Sequence, residues 1–177
     1  MPYSTFHLEQ VLEVLRSTPG VLRAMLVGLS ERWTHSNYGE NTFSPFDVVG
    51  HLIHGERTDW MIRLGLILEH GESEPFAPFD RYAMYEASRG KSLAELLDTF
   101  EDLRTVNLRK LEGLRLTPAQ LALHGRHPGL GAVTAQLLLA CWVVHDLNHI
   151  HQIAKAMAYQ YRGDIGPWQA YFPFLSR

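Results

Sequence analysis

The alternation of apolar and polar positions along the chain has a helical period and predicts four main helices. The first covers roughly 5–30 and is interrupted at STPG (17–20), where Thr18 can cap and Pro19 can open a second segment, giving a kink or restart. A polar loop, SNYGENT (36–42), follows. SPFD (44–47) is a strong start signal, with Ser44 as N-cap, Pro45 at N1 and Asp47 at N3. This second helix runs to about Glu69 and stops at HGESEP (70–75). SLAE (92–95), a second capping box, opens a third helix to about Leu111, with Gly113 as its stop. TPAQ (117–120) starts a short connecting helix, and HPGLG (127–131) has turn chemistry. The fourth helix runs from about Val133 to Tyr161 and ends at GDIGP (163–167), before an aromatic tail, WQAYFPFL (168–175).

No stretch shows strand-length alternation, an internal repeat or a low-complexity linker, and no position marks a boundary. Residues 1–177 therefore read as a single all-α domain, a four-helix bundle with short additional helices. RYAMYEASR (81–89) lies in the longest connection, the natural place for a lid or pocket rim.

The apolar pattern is violated in one place. VTAQLLLACW (133–142) reads as the buried spine of a helix, and VVHDLNHIHQI (143–153) then sets three histidines and an aspartate into it. Buried imidazoles without partners are costly, so their nitrogens must be bonded to something. His145 and His149, four residues apart on a helix, share one face and can grip a single ion. Cys141 precedes them and Gln152 follows on the same stripe, whereas His151 points away. The competing reading makes both histidines core residues hydrogen-bonded to neighbouring helices.

Composition narrows the field. Hydrophobic residues make up 46% and charged residues 20%, an ordinary globular balance. A formal charge of −3 gives no basic face for nucleic acid. The longest apolar stretch is cut short of a membrane span by Thr134, Gln136 and His145. MPYSTFHLEQ has no basic segment followed by an apolar one, so no signal peptide is expected. Cys141 is the only cysteine, which excludes an intrachain disulfide and points to a reducing cytoplasm. Ten histidines in 177 residues is the one oddity.

HDLNH has the outline of the zinc-protease HExxH pattern, but Asp146 stands where that chemistry needs glutamate, and no glutamate follows Glu112. Asp146 lies about 100° round the helix from His145, placed to orient a neighbouring histidine or to cap the solvent face. Cys141 is read as a small buried hydrophobe. A catalytic metal needs a third protein ligand, and VVGHLIHGERTDW (48–60) offers His51 and His54 on a facing helix. Periodicity does not decide between them. His124 and His127 flank a turn that accounts for them. His7, His35 and His70 look exposed or terminal, and Trp33, Trp60, Trp142 and Trp168 read as core or interface anchors.

The order of these motifs resembles the DinB/YfiT-like superfamily. TPGVLRAMLVGL near the start, GHL in the second helix, HPGLGAVTAQLL leading into HDLNHIHQI, and GPWQAYFPFL at the end span essentially the whole chain. The resemblance implies an up-down-down-up bundle that holds a divalent metal on three histidines, here His51, His145 and His149. His54 then becomes a residue behind the ligands or on the surface, with Asp146 and Gln152 as further groups near the site.

An ion held by three neutral imidazoles keeps its charge and open positions, and lowers the pKa of a bound water or thiol. Zinc and nickel both suit such a site. Two chemistries follow: hydrolysis of an ester- or amide-like bond, or transfer of a thiolate to an electrophilic carbon. The resemblance favours the second, because the family includes bacillithiol S-transferases and mycothiol-dependent isomerases. The expectation is therefore a detoxifying S-transferase acting on a small molecule with a low-molecular-weight thiol. A metal-dependent hydrolase and a non-enzymatic metal- or small-molecule-binding stress protein are the alternatives. The aromatic tail, with Trp168, Tyr171, Phe172 and Phe174, is read as a cover over the bundle or a contact between two copies, and the resemblance favours a homodimer.

Overall fold

A computed structural model describes residues 6–175. Its long helices are α1 (Leu8–Leu26), α3 (Pro45–Thr58) continued by α4 (Trp60–His70), α6 (Leu93–Leu114) and α8 (Ala135–Tyr159). Short helices α2 (Glu31–Thr34), α5 (Ala83–Ser88) and α7 (Pro118–Leu121) fill the connections. The tail forms two 3-10 segments, Gly166–Tyr171 and Pro173–Leu175. The expected helix start at residue 5 lies outside the described residues.

Three starts are set locally by reciprocal capping boxes: Ser44 with Asp47, Ser92 with Glu95, and Thr117 with Gln120. In each, the N-cap hydroxyl accepts from a backbone N–H that the first turn leaves unpaired.

Contacts along the helices give their directions. Arg16 pairs with Glu112 and Arg23 with Asp98 and Glu101, so α1 and α6 are antiparallel. His51 meets His149 while Trp60 meets Trp142, so α3–α4 and α8 are antiparallel. Val11 and Leu12 share a core cluster with Leu138 and Leu139, and Leu22 and Leu26 share another with Ile153, so α1 and α8 are parallel. The topology is up-down-down-up, as expected.

Four details depart from the sequence reading. Pro19 does not restart the first helix; α1 runs through it. Proline removes the N–H that would bond the carbonyl four residues earlier, here Leu15. The Arg104 guanidinium from α6 donates to that carbonyl at 2.9 Å instead. The second helix is broken at Asp59 (φ −118°, ψ −82°), which ion-pairs with Arg63 at 2.5 Å.

Third, a short antiparallel hairpin exists, β1 (His124–His127) with β2 (Gly131–Thr134), in a region read only as a turn. Four-residue strands are too short to show a period, and this pair is held by its turn and by tertiary contact. The His127 Nδ1 accepts the Gly129 and Leu130 amides at 3.1 and 3.2 Å, and the Phe76 N–H donates to the Arg126 carbonyl at 2.9 Å. Gly125 is required by close approach, since a Cβ there would lie 2.6 Å from Ile67 and 2.9 Å from Phe76. Fourth, the tail anchors through buried Leu175 but leaves Trp168 and Tyr171 66% and 78% exposed, so it does not cover the bundle with its rings.

No helix among the described residues is long and apolar enough to cross a membrane.

Candidate metal centre

The α3 stretch behind the Ser44 cap and the middle of α8 face one another, and they bring His51, His145 and His149 together. The His51 and His145 Nε2 atoms lie 3.2 Å apart, and those of His145 and His149 3.1 Å apart. All three offer a ligating nitrogen within 4.8 Å of the others. Zinc–nitrogen bonds of about 2.0–2.1 Å at tetrahedral to right angles imply N···N separations of about 2.8–3.4 Å, so the spacing fits one ion.

Protonation fits as well. The His149 Nδ1 lies 2.8 Å from the Gln152 Oε1, an acceptor, so Nδ1 carries the proton and Nε2 presents a bare lone pair to the cluster. His51 is pushed down to about 3, chiefly by burial and then by the neighbouring imidazoles and Arg81. His149 is pushed down to about 4 by burial and His145. Both are neutral at physiological pH, the form that binds metal.

Aromatic rings wall the cluster. Trp60 stacks on Trp142 at 5.5 Å and makes a T-shaped contact with His145 at 5.0 Å, and Phe43 and Phe79 flank His51. Of the other residues singled out from sequence, Gln152 supports His149 directly. His54 stands outside the cluster, with its ring on Phe79 and its Nε2 3.4 Å from the Thr58 hydroxyl.

Asp146 does not cap a solvent face. It is wholly buried, and its carboxylate receives the Arg104 guanidinium at 2.6 and 3.1 Å. Burial by itself raises that carboxyl; His145 and Arg104 outweigh it and hold the group below the usual carboxylate range. Cys141 is not a buried hydrophobe but an exposed residue on a cavity wall. His151 is exposed, at the rim of a second cavity.

The largest feature hidden from sequence lies behind the histidines. Arg104 uses all five of its N–H groups on Glu56, Asp146 and the Leu15 carbonyl, so one guanidinium ties α1, α3, α6 and α8 together. Asn107 completes the arrangement by donating to both the carbonyl and carboxylate of Glu56. Arginine, glutamate and asparagine on helices read as solvated face; only the packed bundle puts them at one point.

Two unlike cavities converge on the cluster, and His51 and His145 line both. One, of about 400 Å³, is polar and includes Tyr38, Arg81, Asn148 and Lys155. The other, of about 650 Å³, is mainly apolar, with Trp60, Phe76, Phe79, Leu138, Cys141 and the Asp59–Arg63 pair on its walls. Arg81 and Phe79 belong to the long 71–92 connection, which thus contributes to both rims.

A sequence model described as the DinB superfamily matches residues 15–153. The chain belongs to the DinB superfamily. Two solved structures share its fold. One is similar to this DinB-superfamily chain with a TM-score of 0.73 and 21% identity, over 94% of this chain and 93% of its own. It is YfiT from Bacillus subtilis, described as a probable metal-dependent hydrolase with an unusual four-helix bundle topology. The other, TT2238, described as a four-helix bundle protein, has a TM-score of 0.59 and 18% identity, over 84% of this chain and 98% of its own. No curated protein sequence matches significantly.

Proposed function

We propose that this DinB-superfamily protein is a metal-dependent S-transferase that joins a low-molecular-weight thiol to an electrophilic small molecule, with His51, His145 and His149 as the ligands. The observation that carries the reading is the convergence of two chemically opposite cavities on one histidine cluster. A two-substrate reaction needs separate places for a polar nucleophile and an apolar electrophile; a one-substrate hydrolysis needs only one. The divalent ion, zinc or nickel, supplies a positive charge that favours the deprotonated thiol near neutral pH.

The chain's own residues do the rest. Gln152 fixes the His149 tautomer, and Trp60 and Phe79 exclude water from the apolar side. The thiol proton passes to solvent. Sulfur bonds to the electrophilic carbon, and the bond to the leaving group breaks with its electron pair.

A second reading, hydrolysis, is favoured by Asp59. Burial raises its carboxyl above the ordinary value, and it lines the apolar cavity together with His145. YfiT's description as a probable metal-dependent hydrolase points the same way. Metal-loaded protein tested on alkyl and aryl electrophiles, with and without added thiols, separates the two. Product that forms only with thiol, and disappears in His145→Ala, supports the transferase. Turnover of esters or amides without thiol overturns it.

A further inference from the structure

We propose that Arg81 and Lys155 form a recognition site for an oxyanion, a carboxylate or phosphate group carried by the polar substrate, at the mouth of the histidine cluster. The polar cavity has no aspartate or glutamate in its lining, yet two permanent cations face it from opposite elements. Arg81 comes from the connection before α5, and Lys155 from α8 one turn beyond Gln152. Neither has a carboxylate partner among the described residues. Their other neighbours are aromatic: the Arg81 guanidinium lies 5.3 Å from the centres of both Phe43 and Tyr82, and the Lys155 ammonium 5.0 Å from that of Tyr38.

Ring faces hold a cation in place without neutralising it, so each side chain keeps its charge and its N–H donors for a ligand. Phe43 and Tyr38 line the same cavity, so the rings that steady the cations also form its walls. Exposed arginines elsewhere on α1 are used differently: Arg16 and Arg23 are spent on Glu112, Asp98 and Glu101.

Asn148 and His151 add further polar groups on the same side of α8, at the i, i+3 and i+7 spacing that ends on Lys155. A planar guanidinium grips an oxyanion through two parallel hydrogen bonds, and an ammonium adds a second, adjustable contact. An anion seated there lies beside His149 and His51, with its molecule extending toward the cluster.

The inference deepens the transferase reading by giving the thiol substrate an anionic group, but anion binding does not depend on the metal and is tested without it. Metal-free native protein and the R81Q/K155Q variant are titrated with succinate, inorganic phosphate and uncharged succinamide, following backbone amide shifts across residues 144–156. The expected result is saturable binding of at least one oxyanion, weaker by about tenfold or more in the variant, and no saturable binding of succinamide. Whichever oxyanion binds more tightly identifies the group. Because Arg81 is exposed, Lys155 only half-buried, and neither is ion-paired, the variant's thermal midpoint should match the native one, and single R81Q and K155Q variants supply the comparison if it does not. Equal binding by native and variant proteins, or equal binding of succinate and succinamide, overturns the proposal. Loss of the metal reading would leave this outcome unaffected.

Discussion

The Asp146 carboxylate is clasped by both terminal nitrogens of Arg104, at 2.6 and 3.1 Å, while its sequence neighbour His145 joins the histidine cluster. One turn of α8 thus faces a buried ion network on one side and a candidate metal centre on the other. The network carries Arg104 against two carboxylates, Glu56 and Asp146, and is almost wholly excluded from water.

Removing the guanidinium would leave those carboxylates and the Leu15 carbonyl buried without their donor. Arg104→Leu should lower unfolding free energy by about 3–5 kcal/mol, read from urea denaturation. A simultaneous Glu56→Leu and Asp146→Leu change should recover much of that loss, because the stranded charges are gone. Additive losses would show that the network does not act as a unit.

Gln152 fixes which nitrogen of His149 is bare. Gln152→Leu should weaken divalent-metal binding by about 10–100-fold, the usual effect of losing a ligand's supporting hydrogen bond, with little change in the stability of the metal-free protein. Competition with a chromophoric chelator measures the first, and thermal unfolding in EDTA the second.

Stability of the metal-free protein should begin to fall on acidification as the pH drops below about 6.5. His51 and His149 are held down to about 3 and about 4, mainly by burial, while unfolded imidazoles titrate near 6.5. Between these values the unfolded chain binds more protons than the folded one, so stability is fully present above about 6.5 and is lost as pH falls towards 4 and then 3. A urea midpoint measured against pH should show this slope, and His149→Gln should flatten it. Saturating zinc should steepen it, since protons then also compete with the metal.

The hairpin seals one wall of the apolar cavity through His127, Leu130 and Val133. Gly125→Val would force a side chain into Ile67 and Phe76, costing about 1–3 kcal/mol of overpacking and shifting the hairpin. Thermal unfolding should register the loss. Increased hydrogen exchange in residues 124–134, with α6 unchanged, should localise it.

Local chemistry in the sequence determined the helix starts, the four-helix count and the face of α8 that carries His145 and His149. Capping boxes act within four residues and the 3.6-residue period repeats along each helix, so both are written in short windows. Periodicity does not choose His51 over His54, because α3 buries residues on several faces; the order of motifs does, and the structure has His51 in the cluster and His54 on Phe79. Tertiary packing accommodates Pro19 within a helix, since the Leu15 carbonyl it leaves free accepts from Arg104, 89 positions after Leu15 in the chain. The same holds for Asp146, whose burial depends on Arg104, and for Cys141, whose exposure depends on a cavity that exists only once hairpin, connection and bundle are assembled. A carboxylate's cost is set by the charges packed around it, and those come from helices far apart in sequence.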